Sequence, residues 1–189
     1  MKKMMMLVTL FAVLLTSCDP QKNQNKTESS YEVPDIADIA MYQVNPRVFA
    51  PEKSLNAVAS RIDSIRELGV NVMWVMPIYP IGIEKGKNSP YCIRDYKGVN
   101  SSFGTLDELK SLVKAAQGKG MKVMFDWVAN HTAWDNPWIT EHPDWYEHKS
   151  DGSIAWPTKD GAWTDVAQLD YSNKELWAAM EDALEYWVK

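Results

Sequence analysis

The sequence lacks several residue patterns that identify common classes of protein. It has only two cysteines, Cys18 and Cys92, so one disulfide bridge at most could form and a disulfide-stapled scaffold is excluded. It contains no GxGxxG segment, and the stretch from Gly82 to Asn88 has neither the spacing of a phosphate-binding loop nor its terminal Ser or Thr. The sequence therefore predicts no nucleotide site.

Positive charge and histidine are also scarce. The 189 residues carry 20 Lys and Arg against 25 Asp and Glu, a formal net charge of −5. Residues 1–17 hold Lys2 and Lys3 and no acid, so the remainder carries −7. A domain this acidic is a poor partner for the phosphates of nucleic acid, and no nucleic-acid partner is expected. Three histidines without an HExxH spacing argue against zinc.

The first residues have the pattern of an export signal. Lys2 and Lys3 precede a run of 12 residues, Met4 to Leu15, that is interrupted only by Thr9. A run of that length matches the core of a signal peptide and is too short to span a bilayer, which takes about 20 residues. The residues that follow, Leu-Thr-Ser-Cys, resemble a bacterial lipobox that ends at Cys18.

We therefore predict a lipoprotein signal peptide over residues 1–17, lipidation of Cys18 and a flexible polar tether over 18–38. The expected localisation is that of an exported lipoprotein, held by its lipid anchor on the periplasmic face or the cell surface. The alternative is an ordinary secretory signal peptide with an incidental cysteine.

The rest of the chain alternates strand and helix three times. Apolar runs predict strands at 39–44, 70–76 and 121–128, and 3.6-residue periodicity predicts helices at 54–68, 105–117 and 172–187. Thr105 and Glu108 form a capping-box pattern, as do Ser172 and Glu175, and Ser54 is the predicted cap of the first helix. Hydrophobic residues make up 46% of the sequence, enough for a packed core.

This order predicts an α/β fold with parallel strands and right-handed crossovers. A (β/α)₈ barrel has eight such units, of which about three are present here. An open doubly wound sheet is the competing architecture, but its first turn is short and glycine-rich, whereas the loops here are long and aromatic.

Polar side chains follow two of the predicted strands. Asp126, Asn130 and His131 follow the third strand within six residues, and Tyr91 and Asp95 lie in the long loop after the second. Because the carboxyl ends of barrel strands carry the chemistry, these residues are candidates for a site. A lone Asp in this position would more often be a structural hydrogen-bonding group.

Four segments resemble the α-amylase family of retaining glycoside hydrolases, family 13. They are, in chain order, MYQVNPRVF, SPYCIRDYKGVNSSFGTLDELKSLV, KGMKVMFDWVANH and VAQLDYSN. The resemblance implies that residues 39–189 are the N-terminal part of a TIM-type barrel, with domain B inserted at roughly 129–171. It also implies an α-glucan substrate.

The resemblance further implies the roles of single residues. Tyr91 is expected to stack on the sugar where the bond is cut, because sugar C–H faces pack on aromatic rings. His131 is expected to hydrogen-bond the hydroxyls of that sugar. Asp126 and Asp95 are expected to be structural residues of the site.

A calcium ion between barrel and domain B is a further implication of the resemblance. Asn130 and Asp170 are the candidate ligands, and both supply the oxygen atoms that calcium prefers. Gln168 stands where many family members place an acid, a difference expected to alter either the calcium site or the contact with domain B. Two ligands fall short of the roughly six to eight that calcium takes.

The catalytic carboxylates are not assigned in these residues. In the family the nucleophile, the acid/base and a third acid follow strands four, five and seven, so the resemblance places them beyond Lys189. The 189 residues alone are therefore expected to be inactive. The full protein is expected to hydrolyse α-glucosidic bonds of starch or maltooligosaccharides with retention, by double displacement. The alternatives are a non-catalytic surface glycan-binding lipoprotein on a degenerate barrel, and a transglycosylase of the same family.

Tryptophan is abundant late in the sequence. Eight of the nine tryptophans lie between Trp127 and Trp187. The insertion holds five of them, Trp134, Trp138, Trp145, Trp156 and Trp163. Packing of a small irregular domain is the favoured interpretation over a sugar-binding platform, with one or two rings expected to contact substrate.

Overall fold

The central feature of the fold is a parallel three-stranded sheet. The computed structural model describes residues 33–189, and the strands follow the chain order β1, β2, β3. Their bounds are Met41–Val44, Val72–Val75 and Lys122–Phe125. The parallel pairing sets Val72 opposite both Met41 and Lys122, which confirms the predicted strand–helix alternation.

Strand β2 is the buried middle of this sheet. Val72, Met73 and Val75 are all buried, as expected for a parallel strand covered on both faces. On the outer strands, Met41 and Met124 are almost half exposed. All three strands are shorter than the apolar runs that predicted them.

The described residues form six α-helices. They are α1 (Pro46–Phe49), α2 (Ser54–Ala59), α3 (Ile62–Glu67), α4 (Leu106–Gly118), α5 (Trp138–Glu141) and α6 (Lys174–Val188). Thr105 accepts a hydrogen bond from the backbone of Glu108, and the Glu108 carboxylate accepts one from the backbone of Thr105. This reciprocal pair confirms the predicted capping box of α4.

Three local predictions are wrong. The single helix predicted over 54–68 is broken between α2 and α3, and Ser54 does not cap it: Lys53 precedes α2 in a left-handed conformation with φ +48°, and the Ser54 hydroxyl is buried without a hydrogen-bond partner. At α6 the cap is Asn173, whose side chain accepts from the backbone of Glu175, instead of a Ser172 capping box.

The segment at 129–171 forms its own small layer. Strands β4 (His131–Ala133) and β5 (Val166–Gln168) pair antiparallel, with His131 opposite Gln168. The Tyr171 hydroxyl donates to the Ala129 carbonyl at 2.6 Å, which ties the two ends of the segment together.

Aromatic side chains connect this layer to the sheet. Tyr79 contacts the rings of Tyr96, Trp127 and Trp187 at centroid distances of 5.8–6.3 Å, and Trp138 stacks on Tyr96 at 5.3 Å. The Tyr96 hydroxyl lies 2.8 Å from the Val128 carbonyl and 2.9 Å from that of His131. These contacts fix the backbone between the end of β3 and the start of β4.

The predicted leader and most of the predicted tether lie outside the described residues, and so does Cys18. Within the described part of the tether, Ile36–Asp38 forms one 3₁₀ turn capped by Asp35. Asn71 ties this turn to the fold by donating to the Asp38 carbonyl and accepting from the Ala40 N–H. Among residues 33–189, no helix has the length and apolar character needed to cross a membrane.

Candidate active site

Three of the predicted site residues meet at the carboxyl edge of the sheet. Asp126 directly follows β3, His131 opens β4, and Tyr91 lies on the loop after β2. The Tyr91 hydroxyl donates to Asp126 Oδ2 at 3.1 Å, and His131 Nε2 lies 3.2 Å from the Tyr91 carbonyl. The Asp126 backbone N–H donates to the Val75 carbonyl at 3.0 Å, which continues the sheet pairing and positions the carboxylate.

Two tyrosines fix Asp126 from the side of β2. The buried Tyr79 donates its hydroxyl proton to the Asp126 carbonyl at 3.2 Å, while Tyr91 binds the carboxylate. Burial, together with the hydrogen bond to Asp126 and its charge, raises the pKa of Tyr91 above its usual range. Tyr91 is therefore a protonated donor at neutral pH, and Asp126 holds the orientation of its ring.

His131 is neutral and fixed in one tautomer by its neighbours. Burial lowers the pKa of His131, and the hydrogen bond to the Tyr91 carbonyl opposes this effect. Since a carbonyl only accepts, the hydrogen-bond network assigns the proton to Nε2 and leaves Nδ1 to accept from Asn130 Nδ2 at 3.1 Å. Both ring nitrogens thus have protein partners. For the predicted hydrogen bond to a sugar hydroxyl, the Nε2 proton must either leave the Tyr91 carbonyl or be shared between that carbonyl and the sugar.

A cavity of about 390 Å³ opens beside these side chains. Its lining residues are Ser89, Tyr91, His131, Trp163, Asp165 and Val166. The Trp163 ring is half exposed and meets the edge of His131 with centroids 6.1 Å apart. The size and the mixture of aromatic and polar walls suit one or two sugar rings.

Some tryptophans of the insertion pack in its interior, and at least one lines the cavity. Trp145 is buried and packs on Trp138, which in turn stacks on Tyr96, so these rings build the core of the insertion. Trp163 instead lines the cavity. Sequence reasoning did not single out Ser89 or Asp165, because only the fold brings them to this wall.

Asp95 lies outside this cluster. Its carboxylate is exposed and accepts a hydrogen bond from the Lys97 backbone at 2.8 Å, in a tight turn. It packs against Gly98, where a Cβ atom would collide with Asp95 Oδ2. The geometry gives Asp95 a role in shaping the loop and no contact with the cavity.

Each of the two candidate calcium ligands has hydrogen-bond partners of its own in the described residues. The Asp170 carboxylate accepts from the Ser172 backbone, and the Asn130 amide group contacts His131 and Gln168. Hydrogen bonds from Ser172 lower the pKa of Asp170. Between residues 33 and 189, no group of three or more His, Cys, Asp or Glu side chains is placed to hold a metal ion. The calcium site stays a prediction, and no step below depends on it.

Gln168 holds Asn130 in place through hydrogen bonds. Its Nε2 donates to the Asn130 carbonyl at 3.2 Å and to the Leu169 carbonyl at 3.0 Å, while its Oε1 accepts from Asn130 Nδ2 at 3.2 Å. The two amide side chains thus connect β5 directly to the segment that precedes β4.

Comparisons with known proteins place this geometry in one family. Residues 43–189 match the family described as "Alpha amylase, catalytic domain". An alpha-1,4-glucan:maltose-1-phosphate maltosyltransferase of Rhodospirillum rubrum is 33% identical over 177 residues, which cover 79% of this chain and 25% of the relative. A probable oligo-1,6-glucosidase 2 of Bacillus subtilis is 28% identical, with 80% of this chain and 32% of the relative covered.

Solved structures agree with the sequence relatives. An alpha-amylase from Lactobacillus plantarum superposes with a TM-score of 0.74 at 40% identity, covering 79% of this chain and 36% of that one. A maltogenic alpha-amylase from Thermotoga neapolitana gives 0.74 at 33% identity, with coverages of 81% and 37%.

The chain thus spans between a quarter and two fifths of the length of these four proteins. Its three βα units and the insertion after β3 correspond to the N-terminal part of a TIM-type (β/α)₈ barrel. By its family match, its relatives and its fold, the chain belongs to the α-amylase family of glucan-active enzymes.

Proposed function

We propose that this chain forms the N-terminal part of a retaining glycoside hydrolase that cleaves α-glucosidic bonds in starch or maltooligosaccharides. The observation that carries the proposal is the Tyr91–Asp126–His131 cluster beside a cavity of about 390 Å³ at the carboxyl edge of the parallel sheet. That edge is where barrels of this type place their chemistry.

The proposed roles follow from the chemistry of each side chain. The Tyr91 ring packs on the apolar face of a sugar, and the Asp126 carboxylate fixes that ring by accepting its hydroxyl proton. The neutral His131 offers its Nε2 proton to sugar hydroxyls once substrate displaces the contact with the Tyr91 carbonyl. These residues bind and orient the sugar without exchanging protons with the reacting bond.

Bond cleavage requires two further carboxylates. In a retaining mechanism one attacks the anomeric carbon and the other protonates the leaving oxygen, at a separation of about 5–5.5 Å. We propose that both lie beyond Lys189, so residues 39–189 supply substrate binding and the remainder of the protein supplies the nucleophile and the acid.

Glucan transfer is the second candidate function. The maltosyltransferase of Rhodospirillum rubrum favours it, because that relative is 33% identical to this chain. A transferase passes the glycosyl group to a sugar hydroxyl in place of water, so the two candidates differ in their products and not in Tyr91, Asp126 or His131.

The test is an assay of the full-length protein on soluble starch and on maltoheptaose, each with and without maltose 1-phosphate, the compound named for the maltosyltransferase relative. Hydrolysis predicts new reducing ends, whereas transfer predicts longer glucans without a net gain of reducing ends. Tyr91→Ala is expected to remove most of the activity, and Tyr186→Ala, a change of an exposed tyrosine on α6, is the matched control. Glucan binding with no product of either kind would overturn both candidates in favour of a binding protein.

Two further proposals concern location and calcium. We propose that Cys18 carries the lipid, so Cys18→Ser is expected to move the protein from the membrane fraction to the soluble fraction.

Calcium binding by Asn130 and Asp170 predicts that added calcium raises the melting temperature and that Asp170→Asn abolishes the increase.

A further inference from the structure

A second cavity lies between the insertion and the loop after β2, apart from the candidate active site. Its volume is about 320 Å³, within the range of small-molecule sites. It is lined by Lys85, Trp134, Lys149, Ser153, Ile154, Trp156 and Thr164. It shares no lining residue with the first cavity, although Thr164 lies between Trp163 and Asp165, which face the other side.

Each of its two lysines is held over a tryptophan ring. Lys85 Nζ lies 3.7 Å from the ring centroid of Trp134, and Lys149 Nζ lies 3.3 Å from that of Trp156. The indole N–H of Trp134 donates to the Thr164 carbonyl at 3.0 Å, so this ring is fixed to the turn that precedes β5. Cation–π attraction therefore places both ammonium groups at the same cavity.

The charge of this cavity is opposite to that of the chain. The formal net charge is −5, yet no carboxylate lines the cavity. In the part of the chain that the structure describes, the ion pairs within 4 Å involve neither Lys85 nor Lys149. Glu147 and Asp151 each lie two residues from Lys149. Asp151 accepts hydrogen bonds from Ser153, which together with the charge of Lys149 lower the pKa of Asp151.

We propose that this cavity binds a sugar that carries an anionic group. The two ammonium groups pair with a phosphate or a carboxylate, and Ile154 provides an apolar wall for the sugar C–H groups, since each indole ring already has a lysine ammonium over its face. A neutral glucan lacks the group that the lysines recognise. The site is independent of the proposed cleavage reaction, since none of its residues lines the first cavity.

The experiment is isothermal titration calorimetry of the full-length protein with glucose 6-phosphate, glucuronate and maltose. Saturable binding of at least one anionic sugar is expected, weakening as salt screens the charges. Comparison of the two anionic sugars distinguishes a phosphate from a carboxylate ligand. In the double variant Lys85→Gln/Lys149→Gln, affinity is expected to fall at least about tenfold, because each charge-assisted bond is lost.

Lys174→Gln is the matched control. Lys174 also lies over an indole, 3.8 Å from the Trp177 centroid, but outside this cavity, so its removal is expected to leave the affinity unchanged. The proposal is overturned if neither anionic sugar binds, or if the double variant binds as tightly as the parent. It is also overturned if the affinity for the anionic sugar does not change with salt concentration. This measurement uses the unaltered protein, so it does not depend on whether the double variant folds.

Discussion

The hydroxyl of Tyr91 and the carboxylate of Asp126 are joined by a 3.1 Å hydrogen bond between two different strand ends. Tyr91 belongs to the loop after β2, and Asp126 directly follows β3. This bond makes the orientation of the aromatic ring depend on a residue 35 positions later in the chain. The aromatic ring and the carboxylate that orients it are thus built from separate βα units.

Removing the bond is expected to weaken catalysis while keeping the ring. For Tyr91→Phe we predict a fall in kcat/KM of about tenfold, the order expected for one hydrogen bond to a charged group. Tyr91→Ala, which also removes the ring, is expected to cost substantially more. Steady-state kinetics of the full-length protein on maltoheptaose compares the two, and equal activities would contradict the stacking role.

Gln168→Glu is expected to destabilise the protein. The substitution replaces an amide nitrogen that donates to the Asn130 and Leu169 carbonyls by an oxygen that repels both. Loss of two hydrogen bonds costs about 1–3 kcal/mol, which corresponds to several degrees in melting temperature. Thermal melting in a chelating buffer measures it. Gln168→Met, which removes the bonds without adding charge, is the matched control and should lose less.

At Gly82 the structure leaves no space for a side chain. A Cβ atom there would overlap Asp135 Oδ1 and the Ala133 side chain, although the backbone conformation is ordinary. Gly82→Ala is therefore expected to lower the free energy of unfolding by about 1–3 kcal/mol, as overpacking does. In Gly118→Ala, at the end of α4, the new Cβ meets no atom within 4 Å and stability should hold or rise slightly. Urea denaturation of both variants gives the comparison.

Stability is expected to fall in alkaline solution through Cys92. The thiol is fully buried, and burial raises the pKa of Cys92 to about 11, against about 8.5 for a free cysteine. Between these values the unfolded chain loses the proton and the folded chain keeps it, so the free energy of unfolding decreases as pH rises. Urea midpoints across this window measure the decrease, and Cys92→Ala should reduce its slope.

The same burial predicts slow chemical modification of Cys92. At pH 8 iodoacetamide should label Cys92 in the unfolded protein much faster than in the folded one, as followed by mass spectrometry of the peptide. Equal rates would contradict the buried position.

Sequence patterns predicted the parallel sheet, because each strand is a separate apolar run and each crossover carries its own helical period. The Thr105–Glu108 capping box was predictable for the same reason: its partners are three residues apart. The break between α2 and α3 was not: it falls at Ser60 and Arg61, where the Ser60 hydroxyl donates to the Ala57 carbonyl at 2.7 Å, a contact that periodicity does not report.

At the site, Tyr91, Asp126 and His131 were predicted through the family motifs. Asp165 was missed, because a wall residue of a cavity is defined by the fold of the insertion and by no local pattern. The function of Gln168 was also hidden, since its hydrogen bonds reach Asn130, 38 residues away.

The Tyr171–Ala129 hydrogen bond closes the insertion at its base. Since the cost of closing a loop grows only slowly with its length, a segment pinned at its root can lengthen or shorten with little effect on the sheet that carries it. Selection can then change the residues of the insertion that line the cavity, such as Trp163 and Asp165, while the sheet stays the same. The hydrogen bond at the base of the insertion thus allows the insertion to diverge in sequence and length during evolution while the barrel keeps its structure.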